Sequence, residues 1–215
     1  MTQEPLILVG GGGHCKSVIE VVESSVRFSI AGIVDVKEKI GTEVSGYPVI
    51  AGDDDLDSLV RHYQYFLVTV GQVRSSAIRS RLFNLIKSRG GILPVVIAPT
   101  AYVSRRATIG EGTLIHHNAF VNAGAAIGVN CIINTSALVE HDARIGDHSH
   151  VSTAAILNGD CRVGNNCFVG SNAVVSHGVQ VAPNCLIGAG AVVLNHTEAG
   201  TLYAGNPAVP KKRVL

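Results

Sequence analysis

Glu140-His141-Asp142 sets an imidazole between two carboxylates. A carboxylate beside an imidazole orients one ring nitrogen and raises its basicity, leaving the other nitrogen as a general base. Nine histidines are present, and most of the others offer less. His62 reads as a surface residue at a helix end, and His116, His117, His177 and His196 have no nearby carboxylate partner in sequence. No HxH or HExxH spacing on one face supports a metal site, so none is expected. Asp53-Asp54-Asp55 resembles a metal cluster but precedes the helical pattern Leu56 to Val60, where N-capping and dipole charge explain it.

The frame that must hold His141 is a six-residue repeat. From Ile97 to Val193 an aliphatic residue falls at every sixth position, seventeen times without a miss. A helix of period 3.6 cannot keep these residues on one face, so a parallel β-helix is expected from residue 96 to 198. Four residues after each aliphatic sits a small side chain. Cys161, Cys167 and Cys185 fall in this phase and read as core fillers. Three residues after each aliphatic, eleven of seventeen are Gly, Asn or Asp, types that tolerate a positive φ at a corner. Three sides make a coil of eighteen residues, and five to six coils stand roughly 25 Å tall. His141 and Asp142 then sit at a corner, with the tiny Ala123 and Gly159 one coil away.

Sorting by eighteen gives three outward columns. One reads Tyr102, Phe120, Leu138, Ile156, Val174, Val192; a second reads Leu114, Ile132, His150, Phe168, Leu186; a third reads Thr108, Ala126, Arg144, Arg162, Gln180, Glu198. Two are apolar and one is polar, and long apolar columns should not face water. Two different adhesive sides suit a head-to-tail ring, so a homotrimer is expected. His150 is the lone polar residue in its column.

Residues 1 to 95 read as a small Rossmann-like α/β domain with a parallel sheet. Residues 5 to 9 form a buried strand, Gly10 to Gly13 follow, and a helical pattern begins near Val18. Strand, glycine turn and helix offer backbone N–H groups to a phosphate. Further strands are expected over Ile30 to Val36 and Tyr65 to Val70, and a helix over Ser75 to Ser88. Ligands collect at the carboxyl ends of such strands, here Gly10, Asp35 and Gly71. Net charge is +1 with no basic run, which excludes an electrostatic case for nucleic acid or an anionic membrane. No apolar stretch is long enough to span a membrane, and the start lacks signal-peptide features. Five cysteines without a CxxC pair fit thiols in a reducing cytoplasm.

The repeat half resembles the hexapeptide-repeat acyltransferases, whose prism is a left-handed β-helix. Ala204-Gly205-Asn206-Pro207-Ala208 with Lys211-Lys212 resembles their closing motif, which places residues 199 to 215 as a tail near coenzyme A. The Gly-Gly-Gly-His-x-Lys start and the stretch from Asn134-Thr135-Ser136 to Glu140-His141 resemble the bacterial nucleotide-sugar N-acetyltransferases over the whole chain, most closely the branch acting on GDP-perosamine. The resemblance implies acetyl transfer from acetyl-CoA, without a metal, to the C4 amine of a nucleotide-linked amino sugar, at sites between subunits of the trimer. His141 matches the base, with Asp142 where relatives carry Glu. His150 matches a histidine near the thioester, and Gly159, Ser171 and Ala189 match coenzyme A contacts. Gly12, Gly13 and His14, with Lys16 of the same motif, match the nucleotide-sugar pyrophosphate loop. Asp35 matches a base or ribose contact, and Gly71 closes that strand-end site. Nothing in the residues says guanine rather than uracil or thymine. O-acetylation of a sialic-acid hydroxyl, or a β-helical sensor without chemistry, are the other readings of the scaffold.

Overall fold

The computed structural model describes residues 3–214. The chain divides into two compact units, the first running to Gly71 and resuming over Ala77–Pro99, the second comprising Gln72–Ser76 and everything from Thr100.

In the first unit, β1 (Glu4–Val9) pairs in parallel with β2 (Phe28–Val34) and β5 (Tyr65–Val68). β4 (Tyr47–Ala51) pairs in parallel with β2, and β3 (Glu43–Val44) antiparallel with β4, giving the order β3-β4-β2-β1-β5. The β3–β4 hairpin was not anticipated. It turns on Ser45 and Gly46, both at positive φ, the geometry of a two-residue hairpin loop. β1 is buried from Leu6 to Val9, as a central parallel strand should be. Helices α1 (Gly13–Glu23), α2 (Leu56–His62) and α3 (Ala77–Ser88) complete the unit. α1 buries Cys15, Val18, Ile19, Val21 and Val22, a stripe at helical spacing.

Several expected boundaries move. β2 ends at Val34, so Asp35 lies just beyond the strand. β5 stops at Val68, and just beyond it the Thr69 backbone N–H donates to Val9 O at 2.8 Å and its hydroxyl to Gly10 O at 2.6 Å. α3 starts at Ala77 rather than Ser75, since Gln72–Ser76 is committed to the second unit. The aspartate run forms a 3-10 turn in which Asp55 Oδ2 accepts the Gly52 N–H at 2.9 Å. Asp53 pairs with Arg81 and Asp54 with Lys37.

The second unit is a left-handed parallel β-helix with three walls. The first wall stacks Tyr102–Val103, Phe120–Val121, Leu138–Val139, Ile156–Leu157, Val174–Val175 and Val192–Val193. The second stacks Leu114–Ile115, Ile132–Ile133, His150–Val151, Phe168–Val169 and Leu186–Ile187. The third stacks Thr108–Ile109, Ala126–Ile127, Arg144–Ile145, Arg162–Val163 and Gln180–Val181. Every partner is eighteen residues away, as the repeat demands. Fourteen successive corner residues, one in six from Gly112 to Gly190, hold positive φ, including Ser136, His148 and Ala154, which are neither Gly, Asn nor Asp. Gly110, Gly128, Gly146 and Gly164 stack at another corner position, where a Cβ would meet the next coil within 2.8 Å or less. Their role explains much of the glycine excess. The core holds the aliphatic ladder with Cys131, Cys161, Cys167 and Cys185, all buried. Burial pushes the Cys161 and Cys167 thiols up to about 12 and Cys15 to about 11, so all three stay protonated.

The repeat has limits at both ends. Ile97, the first aliphatic of the repeat, is exposed at 39%, and Val103 and Ile109 are only partly buried against the core. After Val193 the register breaks: the third wall ends at Gln180–Val181, whose Gln180 N–H meets the His196 ring instead of a next rung, and the Glu198 N–H turns to the Tyr203 hydroxyl, so Glu198 leaves the third column. The terminal segment is a strand, Thr201–Ala204, parallel to Leu186–Ile187, followed antiparallel by Val209–Arg213. The Asn206-Pro207 bond between them is cis. The second apolar column is also less open than expected. Leu114, Ile132 and His150 are buried in the single chain, whereas Tyr102 and Phe120 of the first column remain exposed and stack at 4.7 Å.

Candidate active site

His141 and Asp142 occupy the corner between the first and third walls. Asp142 has φ 61, one of the repeated left-handed corner positions. Its backbone N–H donates to Ala123 O, and His141 O accepts the Asp160 N–H, so coils below and above fix the pair. His141 Nδ1 donates to Asp142 Oδ2 at 3.0 Å. The ring proton is thereby held on Nδ1, and Nε2 carries the lone pair. The Asp142 hydrogen bond, reinforced by the charges of Asp142, Glu140 and Asp160, holds the imidazole above its ordinary value of 6.5.

Two glycines make room for this pair. A Cβ at Gly159 would lie 2.7 Å from His141 Cε1 and Nε2, and a Cβ at Gly124 would strike Asp142 Oδ1. Gly159, expected as a coenzyme A contact, is thus first the floor beneath the imidazole. Among the described residues no acceptor meets its backbone N–H. Glu140 is a part that sequence reasoning left without a role. Its Oε2 accepts the His141 N–H at 3.2 Å and the Asn122 side-chain amide at 2.7 Å, which staples the corner to the coil below. The signal for Asn122 was its place eighteen residues before Glu140.

His150 is not open to a partner. Its Nδ1 donates to Gln72 O at 2.9 Å, and its Nε2 faces the Asn134 side-chain amide at 3.3 Å. The Phe168 ring packs edge-on at 5.2 Å. Gln72 in turn donates from its side chain to Asn166 O, and Ser76 to Asn166 Oδ1. His148-Ser149-His150 has HxH spacing, but its two rings diverge. His148 sits at a corner beside the Asn130 amide, and His150 on the wall. Among the described residues no group of His, Cys, Asp and Glu could hold a metal ion. His116 is buried and pushed down to about 4 by burial and by the charge of His117.

Ser171 and Ala189 lie at a different corner, between the second and first walls, where Ser171 Oγ meets Ser152 Oγ at 3.0 Å. The first wall, about 20 Å of chain at strand rise, separates their corner from that of His141, and they stand two and three coils above it. One chain does not bring these groups together.

In the first unit, Gly12 caps α1 without a side-chain hydrogen bond, and a Cβ at Gly12 or Gly13 would meet nothing within 4 Å. Gly12, Gly13 and Lys16 are exposed at this N-terminal turn of α1, where the helix dipole is positive. Gly71 sits against His14, 3.3 Å from a Cβ built on the glycine to His14 Cβ. Asp35 is otherwise engaged. Its Oδ2 accepts the Gly11 N–H at 2.9 Å and Lys39 Nζ at 2.8 Å, and its Oδ1 the Val36 N–H at 2.7 Å. Burial opposes its ionisation, but Lys39 and the two amides outweigh it and hold the carboxyl below the usual range. Asp35 braces the glycine loop.

Comparison with known proteins identifies the family. The family model for the GMPPB C-terminal domain matches residues 97–205, and that for the PglD N-terminal domain matches residues 5–86. The crystal structure of PerB from Caulobacter crescentus, in complex with CoA and GDP-perosamine, is similar at 33% identity and TM-score 0.91, covering 98% of this chain and 99% of that one. The chain belongs to the hexapeptide-repeat nucleotide-sugar N-acetyltransferases. A second solved relative in this family is the acetyltransferase domain of PglB from Neisseria gonorrhoeae with acetyl coenzyme A, at 33% identity, TM-score 0.89, and 98% and 100% coverage. WeeI from Acinetobacter baumannii shares the fold at 24% identity and TM-score 0.85, with 98% and 100% coverage. No curated protein sequence matches the chain. No helix among the described residues is long and apolar enough to cross a membrane.

Proposed function

We propose that the protein moves an acetyl group from acetyl-CoA to the C4 amine of a nucleotide-linked 4-amino-4,6-dideoxy sugar, with GDP-perosamine the best-supported acceptor. The observation that carries the reading is His141, whose Nδ1–H is held by Asp142 while Nε2 lies bare over Gly159. A sugar amine is mostly protonated at neutral pH and must lose a proton before it attacks. As nitrogen bonds to the thioester carbonyl carbon, Nε2 accepts its proton, and the carbonyl oxygen becomes an oxyanion. The free N–H of Gly159, beside that nitrogen, supplies the oxyanion donor. Collapse of the intermediate breaks the C–S bond, and the thiolate takes a proton as it leaves.

The first unit holds the nucleotide. Its pyrophosphate lies at the N-terminus of α1 over Gly12, Gly13 and His14, where the helix dipole favours an anion, with the exposed Lys16 near. His150, held between Gln72 and Asn134, braces the wall behind Ser171 and Ala189 rather than meeting the acetyl group itself, and these two flank the pantetheine. Because those two lie a wall's width from His141, the complete site requires the corner of a second copy. The exposed Tyr102–Phe120 stack and the half-buried column Leu138, Ile156, Val174 and Val192 provide its docking surface in a homotrimer of the cytoplasm. A thiol-release assay with acetyl-CoA and a panel of GDP-, UDP- and dTDP-4-amino sugars tests the assignment. Turnover with the GDP sugar at the highest kcat/KM is expected. Preference for another base overturns the guanine assignment, and thiol release only with a hydroxyl acceptor overturns N-acetylation.

A further inference from the structure

One coil below His141 the triplet Asn122-Ala123-Gly124 makes three separate provisions for the His141–Asp142 pair. The Asn122 side-chain amide donates to Glu140 Oε2 at 2.7 Å, and the same oxygen accepts the His141 backbone N–H at 3.2 Å. Asn122 Oδ1 accepts the Ala123 N–H at 2.8 Å, and the Ala123 carbonyl accepts the Asp142 N–H at 3.1 Å. Gly124 leaves the space that Asp142 Oδ1 fills. Asn122 thus reaches the peptides of both His141 and Asp142, each through one intermediary, and hydrogen-bonds to neither of their side chains.

The fold does not need this strut. The same backbone bond across the corner joins Asp160 N–H to His141 O and Gly178 N–H to Gly159 O on the coils above, where no such side-chain pair stands. Asn158, eighteen residues after Glu140, turns away from it and donates to Val175 O at 3.0 Å. Among the described residues Glu140 therefore takes its side-chain donor from Asn122 alone. A half-buried carboxylate oxygen that accepts both an amide and a peptide N–H is held in one orientation by two charge-assisted bonds. Without the amide, Glu140 is free to turn toward solvent, and the His141 N–H loses its fixed acceptor.

We propose that Asn122 is a positioning residue for acyl transfer, which fixes where the imidazole stands by holding Glu140 against the His141 peptide. The proposal rests on the reading of His141 as the base. Asn122 is not at positive φ, so replacing it strains no backbone. Asn122→Ala should lower kcat about tenfold, a fraction of the loss that a misplacement of about 1 Å brings, with both KM values within about twofold of wild type. Asn122→Asp should cost as much at about pH 8, because it sets two carboxylates against each other. The double variant N122D/E140Q exchanges donor and acceptor, remakes the bond and should return kcat to within about threefold of wild type. A merely structural role would move the urea midpoint but would not produce that rescue. An NMR titration of the His141 ring in Asn122→Ala should show its midpoint falling toward 6.5, because the Glu140 charge that helps to hold it up moves away. Wild-type kcat with an unmoved His141 titration in Asn122→Ala overturns the proposal. So does a raised KM at unchanged kcat, which marks a substrate contact, and so does a double variant no faster than Asn122→Asp. Inactivity of the wild type with every acceptor counts against the proposed reaction, and the His141 titration then judges the strut by itself.

Discussion

Replacing Gly159 by Ala separates the chemistry of the corner from its stability. The new Cβ would stand 2.7 Å from His141 Cε1 and Nε2, against the 3.4 Å at which ordinary contact begins. The imidazole must therefore retreat by at least 0.7 Å. It is tethered by the 3.0 Å bond to Asp142, whose own position is confined by Gly124, so the ring can move only by stretching or breaking that bond. A misplacement of about 1 Å costs on the order of 10²-fold in rate, so kcat should fall roughly 10- to 100-fold. The backbone at Gly159 is not at positive φ, and alanine lowers the entropy of the unfolded chain, so stability should change by less than about 1 kcal/mol. The assay pairs thiol-release kinetics with urea denaturation and an NMR titration of the His141 ring. Wild-type kcat with an unshifted His141 resonance would refute the reasoning, because it would mean that the ring has slack the structure does not show.

Other outcomes follow from the same geometry. Activity needs neutral His141, so kcat/KM should rise with pH through a midpoint above 6.5. Asp142→Asn removes the largest cause of the raised value, so that midpoint should shift toward 6.5 while the plateau falls, as read from a pH–rate profile. Ala154 sits at φ 54, where an L side chain costs about 1–2 kcal/mol and glycine's added chain entropy costs about 0.5–1 kcal/mol. Ala154→Gly should therefore stabilise the fold by about 0.5–1 kcal/mol in urea melts. All five thiols are buried, and three are pushed up to about 11 or 12, so Ellman's reagent should label none in the native protein and five after unfolding.

Much of this was legible in the sequence, for physical reasons that differ from element to element. The prism announced itself because a corner every six residues forces both an inward aliphatic and a residue tolerant of positive φ. Glu140-His141-Asp142 stood out as carboxylates flanking an imidazole at such a corner. The β3–β4 hairpin escaped because its strands are too short to show alternation. Asp35 matched a ligand-contact spacing, yet Lys39, one helical turn on, and the Gly11 amide claim its oxygens. His150 looked like a polar group awaiting a neighbouring subunit. The carbonyl that seals it belongs to Gln72, 78 residues away, and no local pattern encodes a contact of that range. The same distance explains why the start of α3 was placed too early.

The most direct test of the central claim is the turnover of His141→Ala with acetyl-CoA and a GDP-linked 4-amino sugar, measured on protein whose assembly is checked by sedimentation. The side chain is exposed and no core contact depends on it, so the fold and the assembly should persist. Loss of the positioned base should lower kcat by about 10²–10⁴-fold. Turnover equal to the wild type in an intact assembly would contradict the account and remove His141 from the mechanism.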